Sequence, residues 1–116
     1  MRDYIHVQDL ANGHVAALQA LLGQDGKGSE RAGEGFTVNL CTGQGFSVLA
    51  VVKAFEQASG RKVPYKIAPR RPGDVAQCYA NPTLAKQLLG WEAQHALAEM
   101  CADTWRWQRL NPDGYQ

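Results

Sequence analysis

The sequence predicts an α/β protein, α+β-like in having few strands. Short β-favouring runs alternate with helical patterns along the whole chain, and no internal repeat interrupts the alternation. The 116 residues suffice for one core, and 45% hydrophobic with 20% charged residues is typical of an ordinary globular protein. We therefore expect residues 1–116 to form a single domain.

The first predicted elements are a strand and a helix. Residues 4–7 form a β-favouring run. Directly after it, apolar and small side chains recur at the three- and four-residue spacing of one helical face. That face carries Leu10, Ala11, His14, Val15, Leu18, Leu21 and Leu22. The pattern predicts an extended entry followed by an amphipathic helix.

The middle of the chain predicts a loop, a strand and a second helix. Residues 23–35 hold five glycines and no apolar anchor, so we expect a flexible surface loop there. Residues 36–40 favour a strand, and residues 41–45 a tight turn. Ser47 is a good N-cap for the next helix, which Gly60 should end in the left-handed conformation.

The second half predicts one more strand and two helices. Residues 63–68 alternate around apolar positions, as in a strand. Asn81 as N-cap and Pro82 in the first turn favour a short helix ending at Gly90. A last helix over residues 95–110 should end before the Asn-Pro pair. The positions that we expect it to bury are Leu97, Met100, Cys101, Thr104 and Trp105.

Charge and hydropathy exclude several kinds of partner. Twelve basic against eleven acidic residues give a net charge of +1, which offers no general attraction for nucleic acid or an anionic membrane. The late aromatic residues lack interleaved basic residues, so they favour packing over base stacking. No apolar run approaches the ~18 residues of a membrane span, and the N-terminus lacks the apolar core of a signal peptide. We expect a cytoplasmic protein.

The cysteines and histidines predict neither a disulfide nor a metal site. Cys41, Cys78 and Cys101 are far apart and form no CxxC pair. No histidine stands at ligand spacing from a cysteine or a second histidine. Cys78 has no basic neighbour in sequence that would lower its pKa, so we do not expect a nucleophile. His6 and His14 are expected to be satisfied by local hydrogen bonds.

The most informative polar segment runs Arg70-Arg71-Pro72-Gly73-Asp74. Guanidinium groups bind phosphate bidentately, and a carboxylate accepts hydrogen bonds from vicinal hydroxyls, so the segment suits a ribose that carries a phosphate. The alternative is a solvated basic turn with an internal Arg–Asp pair, since such exposed pairs are common and weak. Composition and spacing leave both interpretations open.

No cofactor-binding or catalytic motif is present. A dinucleotide-binding unit needs a glycine-rich turn between a strand and a helix, and the nearest candidate is Gly43-x-Gly45, with Val48 at the third glycine position. We interpret it as a tight turn rather than a phosphate cradle. The sequence also lacks a Tyr-x-x-x-Lys pair.

Taken together, the segments 2–14, 38–48, 68–74, 89–91 and 103–115 resemble the C-terminal part of UDP-galactose 4-epimerases, in the extended short-chain dehydrogenase/reductase family. The resemblance implies a homodimeric enzyme of galactose metabolism, in which an N-terminal Rossmann domain holds NAD and a smaller domain closes over a UDP-sugar. This chain corresponds to the small domain, with the Rossmann half largely absent, so no catalytic residue has a match and we expect no activity from the chain alone. The alternatives are another nucleotide-sugar epimerase or a dehydratase of the same superfamily, or a non-catalytic nucleotide-binding module.

The resemblance also implies roles for particular residues. Arg2 and Arg71 match the arginines that bind the diphosphate, and Asp74 matches the acceptor for the ribose hydroxyls. Val48 matches an apolar wall near uracil, and Cys78 a position beside the sugar. A small side chain at that position leaves room for an N-acetyl group. The complete set of expected substrate-binding residues is Arg2, Tyr4, Val48, Arg71, Pro72, Gly73, Asp74 and Cys78.

Overall fold

The computed structural model describes residues 1–23 and 35–115, so the predicted flexible loop over 23–35 lies outside the described residues except for its two end positions. The described part holds four helices and one two-stranded sheet. In chain order the elements are β1 (Arg2–Asp3), α1 (Val7–Leu21), β2 (Gly45–Phe46), α2 (Val48–Ser59), α3 (Thr83–Leu89) and α4 (Leu97–Leu110). The α/β class is confirmed, although much less of the chain is strand than predicted.

The positions of all three predicted strands are wrong. β1 covers Arg2–Asp3, ahead of the predicted run at 4–7, and pairs antiparallel with β2. Residues 36–40 and 63–68 belong to no strand. A β-favouring sequence becomes a strand only where a neighbour supplies ladder hydrogen bonds. Within the described part of the chain, these two segments have no such neighbour.

Helix α1 begins with an unusual cap. His6 is the N-cap, and its Nδ1 accepts a hydrogen bond from the backbone N–H of Gln8 at 3.0 Å. His14 bonds the Leu10 carbonyl at 2.8 Å, as expected for a histidine satisfied locally. The helix buries Asp9, Gly13 and Ala20. Its predicted apolar face is largely open, with more than half of each of these side chains exposed: Val15, Leu18 and Leu22.

Gly13 allows α1 to lie very close to its neighbours. A Cβ at this position would come within 2.7 Å of a Leu40 methyl and 3.2 Å of the Trp91 ring. Trp91 is buried, and its indole N–H donates to the Asp9 carbonyl at 3.0 Å. Glycine at 13 therefore leaves the space in which Leu40 and Trp91 pack against the helix.

Helices α2 and α4 pack through an aromatic pair. Ser47 caps α2 by accepting from Ala50 N–H at 3.1 Å, and Gly60 ends it at φ +66°, as predicted. Phe55 of α2 meets Trp105 of α4 edge to face, with ring centroids 6.3 Å apart. The Arg61 guanidinium lies 5.1 Å from the same Trp105 ring.

The last two helices differ slightly from their predicted bounds. Pro82 rather than Asn81 is the N-cap of α3, while the Asn81 side chain accepts from Thr83 N–H at 2.9 Å. Helix α4 begins two residues later than predicted and ends before Asn111, as expected. Of the positions that it was expected to bury, only Cys101 is buried, and Thr104 is exposed.

The buried interior is small and partly polar. Among the described residues its apolar members are Ala20, Cys41, Ala85, Trp91 and Cys101. His6 and Asp9 are buried with them. The radius of gyration is 17.6 Å, against about 13 Å for a compact domain of this length. In the described ranges, no helix combines the length and the apolar character that crossing a membrane requires.

Candidate functional site

Arg2 lies between two segments that are far from it in sequence. On one side it pairs with Phe46 of β2, and on the other it forms a parallel bridge with Cys78. The Cys78 N–H donates to the Met1 carbonyl at 3.0 Å and fixes that second side. Strand β1 thus draws the start of α2 and the segment after the arginine loop to one place.

Two arginines flank one carboxylate on this surface. The Arg71 Nε donates to Asp74 Oδ2 at 3.2 Å, and an Arg2 guanidinium nitrogen lies 3.9 Å from Asp74 Oδ1. Arg2 is also held by the carbonyls of Met1 and Val75, at 2.9 and 3.0 Å. Arg71 is 85% exposed, so most of its donors face solvent. We call Arg2, Arg71 and Asp74 the arginine–aspartate surface.

The loop geometry brings Arg71 and Asp74 together. The Asp74 N–H donates to the Arg71 carbonyl at 3.2 Å, which closes a turn around Pro72 and Gly73. Proline fixes its own φ, and glycine supplies the φ of +83° that other residues rarely adopt. The predicted internal Arg–Asp pair is therefore present, on a backbone that its own sequence constrains.

The other predicted site residues lie near this surface with fewer recorded contacts. Val48 is the first residue of α2 and is 65% exposed, two residues after the Phe46 that pairs with Arg2. Cys78 is an exposed free thiol beside Arg2. Tyr4 is half-buried just after β1. Among the described side chains, no hydrogen bond or ion pair joins Tyr4 or Val48 to the arginine–aspartate surface.

The turn at 41–45 is tied internally. The Asp3 carboxylate accepts from the N–H of Thr42 at 3.0 Å and from the N–H of Gly43 at 2.8 Å. The Thr42 hydroxyl donates to the same carboxylate. These backbone donors would be needed to bind a phosphate, and they are already satisfied. The geometry supports the tight-turn interpretation over a phosphate cradle.

A buried polar network was not foreseen from the sequence. One Asp9 oxygen accepts from the N–H groups of Gln94 and His95, at 3.0 and 2.9 Å, and the other from His95 Nδ1 at 2.8 Å. Burial by itself would raise the pKa of Asp9, but these hydrogen bonds and the His95 charge outweigh it, so that pKa is lowered. The hydrogen bond to Asp9 chiefly raises the pKa of His95. The pair holds the chain before α4 onto α1.

His6 extends this network to α4. Because its Nδ1 accepts from Gln8, its Nε2 carries the hydrogen and donates to Asp103 Oδ2 at 3.0 Å. Arg106 donates to the other Asp103 oxygen at 2.7 Å. The His6 and His95 rings are stacked with centroids 4.4 Å apart. In sequence, Asp9 is an acidic residue in the first turn of a helix, which the helix dipole already explains, so nothing local indicates its buried partners.

The thiols and carboxylates do not form a metal centre in the described ranges. No group of three His, Cys, Asp or Glu side chains there is arranged to hold a metal ion. Burial raises the pKa of both Cys41 and Cys101, and the Asp3 charge adds to the effect at Cys41. Both thiols are therefore held in the neutral form.

The fold and this geometry define an α/β chain with a constrained arginine–aspartate surface beside a two-stranded sheet. The family model described as GDP-mannose 4,6 dehydratase matches residues 1–104. The chain belongs to that family.

Individual relatives give a more specific similarity. The chain is 55% identical over 116 residues to a UDP-glucose 4-epimerase of Bacillus subtilis, covering 100% of this chain and 32% of the relative. It is similar to a Stenotrophomonas maltophila UDP-glucose-4-epimerase crystallised with NAD and formylated UDP-arabinopyranose, at 51% identity and TM-score 0.84, over 95% of this chain and 30% of the other. It is also similar to a Bifidobacterium longum UDP-glucose 4-epimerase in complex with NAD+ and UDP, at 47% identity and TM-score 0.83, over 97% of this chain and 31% of the other. The chain spans about a third of the length of these relatives.

Proposed function

We propose that this chain is the part of a UDP-glucose 4-epimerase that holds the UDP-sugar, in an NAD-dependent interconversion of UDP-glucose and UDP-galactose that serves galactose metabolism. The observation that carries the proposal is the arginine–aspartate surface, in which a constrained turn and a paired strand bring two arginines to one carboxylate. The names of the relatives support the choice of UDP-sugar and of epimerisation.

In this proposal the two arginines bind the diphosphate and Asp74 accepts hydrogen bonds from the ribose hydroxyls. Arg71 now donates to Asp74, so the ligand has to replace that contact with its own phosphate oxygens. The replacement costs little, because a solvent-exposed pair of this kind is worth about 0–1 kcal/mol. Charge-assisted bonds to phosphate are stronger, which favours the exchange.

The remaining residues form the rest of the proposed pocket. Val48 is the apolar wall for uracil, and its 65% exposure leaves apolar surface for the base to cover. Pro72 and Gly73 constrain the backbone of residues 70–74, which we call the anchor loop. Tyr4, two residues after Arg2, and Cys78, which bridges to Arg2, complete the set. In this way the chain positions a UDP-sugar, and positioning alone can lower a barrier substantially.

Among the residues that the structure describes, we find no turn that fits NAD. The turn at 41–45 is the nearest match to a dinucleotide-binding turn, and its Thr42 and Gly43 N–H groups are bonded to Asp3. In our proposal NAD and the groups that act on the sugar C4 therefore lie in a part of the enzyme outside these 116 residues. That part also forms the homodimer, and the enzyme works in the cytoplasm.

The proposal can be tested by UDP titration of the chain, followed by amide NMR, which detects weak as well as tight binding. We expect Arg71→Ala to weaken binding about 10- to 100-fold, the range for losing hydrogen bonds to a charged group. Arg70→Ala is the matched control, because it removes the neighbouring guanidinium from the same loop and should leave binding nearly unchanged. Equal effects of the two variants would reduce the surface to a nonspecific basic patch.

A chimera tests the activity itself. The chain replaces the matching third of the Bacillus subtilis relative, and the conversion of UDP-glucose to UDP-galactose is measured with and without Arg71→Ala. We expect an active chimera whose KM rises in the variant. The description of the family model favours a second candidate, a nucleotide-sugar dehydratase. A chimera that folds, binds UDP and does not epimerise would support that candidate or a non-catalytic module.

We further propose that Cys78 lets the enzyme accept UDP-N-acetylhexosamines. Its side chain is small, exposed and adjacent to Arg2. In the same chimera, Cys78→Tyr should reduce epimerisation of UDP-N-acetylglucosamine much more than that of UDP-glucose, because the larger ring occupies the space of the N-acetyl group. Equal loss of both activities, or no loss of either, would contradict this specificity.

A further inference from the structure

Asp3 connects the two halves of the proposed UDP pocket. We infer that Asp3 is a positioning residue for UDP: it fixes where the uracil wall stands relative to the diphosphate anchor without touching the ligand. The inference rests on the proposed function. It concerns a residue that the sequence did not single out as part of the site.

The Asp3 side chain makes its hydrogen bonds to a single turn. Its two carboxylate oxygens take three donors from one turn, namely the Thr42 N–H at 3.0 Å, the Gly43 N–H at 2.8 Å and the Thr42 hydroxyl. Within the described ranges, the hydrogen-bond partners of the Asp3 side chain are all in that turn, and neither Arg2 nor Arg71 is among them. The carboxylate therefore holds the turn and is not part of the arginine–aspartate surface. We call the Asp3 carboxylate with these three hydrogen bonds the clasp.

The clasp lies in the chain between the two halves of the proposed pocket. Asp3 follows Arg2 on β1, so its backbone shares the strand that presents the diphosphate anchor. The turn that it holds runs directly into β2, and Gly45 and Phe46 pair with Asp3 and Arg2. Ser47 then caps α2, whose first residue is Val48. Only a few residues of defined geometry thus separate the clasp from each half of the pocket.

The strand pairing needs the clasp because it is short. β1 and β2 have two residues each, and so short a pair has few hydrogen bonds to fix its register. The turn adds restraints of its own at Gly43, which has φ +76° and would bring a Cβ within 3.1 Å of Pro82. Three hydrogen bonds to a charged acceptor are stronger than the same number of neutral ones. They tie this turn to β1 in addition to the strand pairing.

The test compares Asp3→Asn with Asp113→Asn, a substitution of the same kind at an exposed aspartate far from the turn in sequence. An asparagine at position 3 turns its NH2 group toward one of the two backbone donors, so at least one hydrogen bond is lost. We expect hydrogen exchange of the Thr42 and Gly43 amides to accelerate in Asp3→Asn only. Thr42→Val, which removes the hydroxyl donor alone, should give a smaller acceleration.

The binding readout is the preference for UDP over inorganic pyrophosphate. Both ligands use the arginines, but only UDP also contacts the uracil wall. We expect Asp3→Asn to lower this preference about fivefold, as one net hydrogen bond would, while pyrophosphate affinity stays nearly constant. Asp3→Glu retains both carboxylate oxygens and should recover part of the preference.

The outcomes separate the two proposals. If the wild-type chain binds UDP through Arg71 and the Asp3→Asn preference is unchanged, the positioning role is wrong even where stability falls. If the wild-type chain prefers UDP no more than pyrophosphate, the proposed function fails, and the exchange rates then show only that Asp3 holds the turn. Unfolding of Asp3→Asn is recognised from its amide spectrum, and Thr42→Val then carries the binding comparison with the smaller expected loss.

Discussion

Two groups of charged residues in this protein have similar chemistry and opposite settings. The arginine–aspartate surface joins Arg71 to Asp74 at 3.2 Å, with Arg71 85% exposed. The buried network joins His95 to Asp9 at 2.8 Å, with the Asp9 side chain 1% exposed. Solvent screens the first pair, whereas the Asp9 carboxylate of the second has lost water and depends on its protein partners.

The difference separates binding from folding. A weak, exposed pair can exchange its partner for a ligand at little cost, which suits a site. A buried carboxylate with three donors cannot exchange them without losing the packing that they secure, which suits a structural joint between α1 and the start of α4. Making the same kind of change in both places tests this division.

The largest effect is expected for Asp9→Asn. The amide keeps the volume of the side chain but loses the charge, and its NH2 group faces a donor that the carboxylate had accepted. Leaving a buried donor unsatisfied at this position costs about 1–3 kcal/mol, a large part of the stability of a small domain. Urea unfolding followed by circular dichroism measures the loss. A change below about 1 kcal/mol would mean that Asp9 is not buried in solution as the structure has it.

The pH dependence of stability should show the same network. The pKa of His95 is raised from 6.5, so its contribution is full below pH 6.5 and is lost as pH rises through its folded pKa. The pKa of Asp9 is lowered from 3.8, so its contribution is full above pH 3.8 and is lost as pH falls through its folded pKa. We expect the greatest stabilisation between these two values.

The groups facing His95 identify the source of that dependence. Asp9, Glu99 and Asp103 are the acidic ones, and the His6 ring is stacked on it. The free energy of unfolding, measured from pH 5 to pH 9, should fall on the alkaline side in wild type. In His95→Gln this fall should be much smaller. An identical alkaline slope in both proteins would assign the dependence to another group.

The sequence revealed the exposed surface more readily than the buried network, for a physical reason. The residues of the anchor loop are contiguous, and Pro72 and Gly73 constrain its backbone. Adjacent residues in the sequence therefore already predict a turn that carries Arg71 and Asp74. Helix caps such as Ser47 and Gly60 are equally local, and those predictions are confirmed. Local chemistry could therefore be inferred before any coordinates.

What could not be predicted depends on distant partners. Asp9 meets His95 across 86 positions, and Asp3 meets Thr42 across 39, so neither contact has a signature in local spacing. The strands predicted at 36–40 and 63–68 fail for the same reason, since β propensity does not specify a neighbour. Periodicity likewise located α1 without indicating that Leu18 would be exposed.

The smallest effect is expected for Asp74→Asn, the counterpart of the Asp9 change. Both of its arginine contacts are solvent-exposed, and one of them is 3.9 Å long, so the free energy of unfolding should fall by less than about 1 kcal/mol. The same variant should nevertheless weaken UDP binding, because an amide oxygen accepts hydrogen bonds from the ribose hydroxyls less strongly than a carboxylate does. Parallel urea unfolding and UDP titration measure the two quantities on one sample. A stability loss near that of Asp9→Asn would erase the division between a pair that binds and a pair that folds, because Asp74 would then be a structural residue rather than part of an exchangeable site.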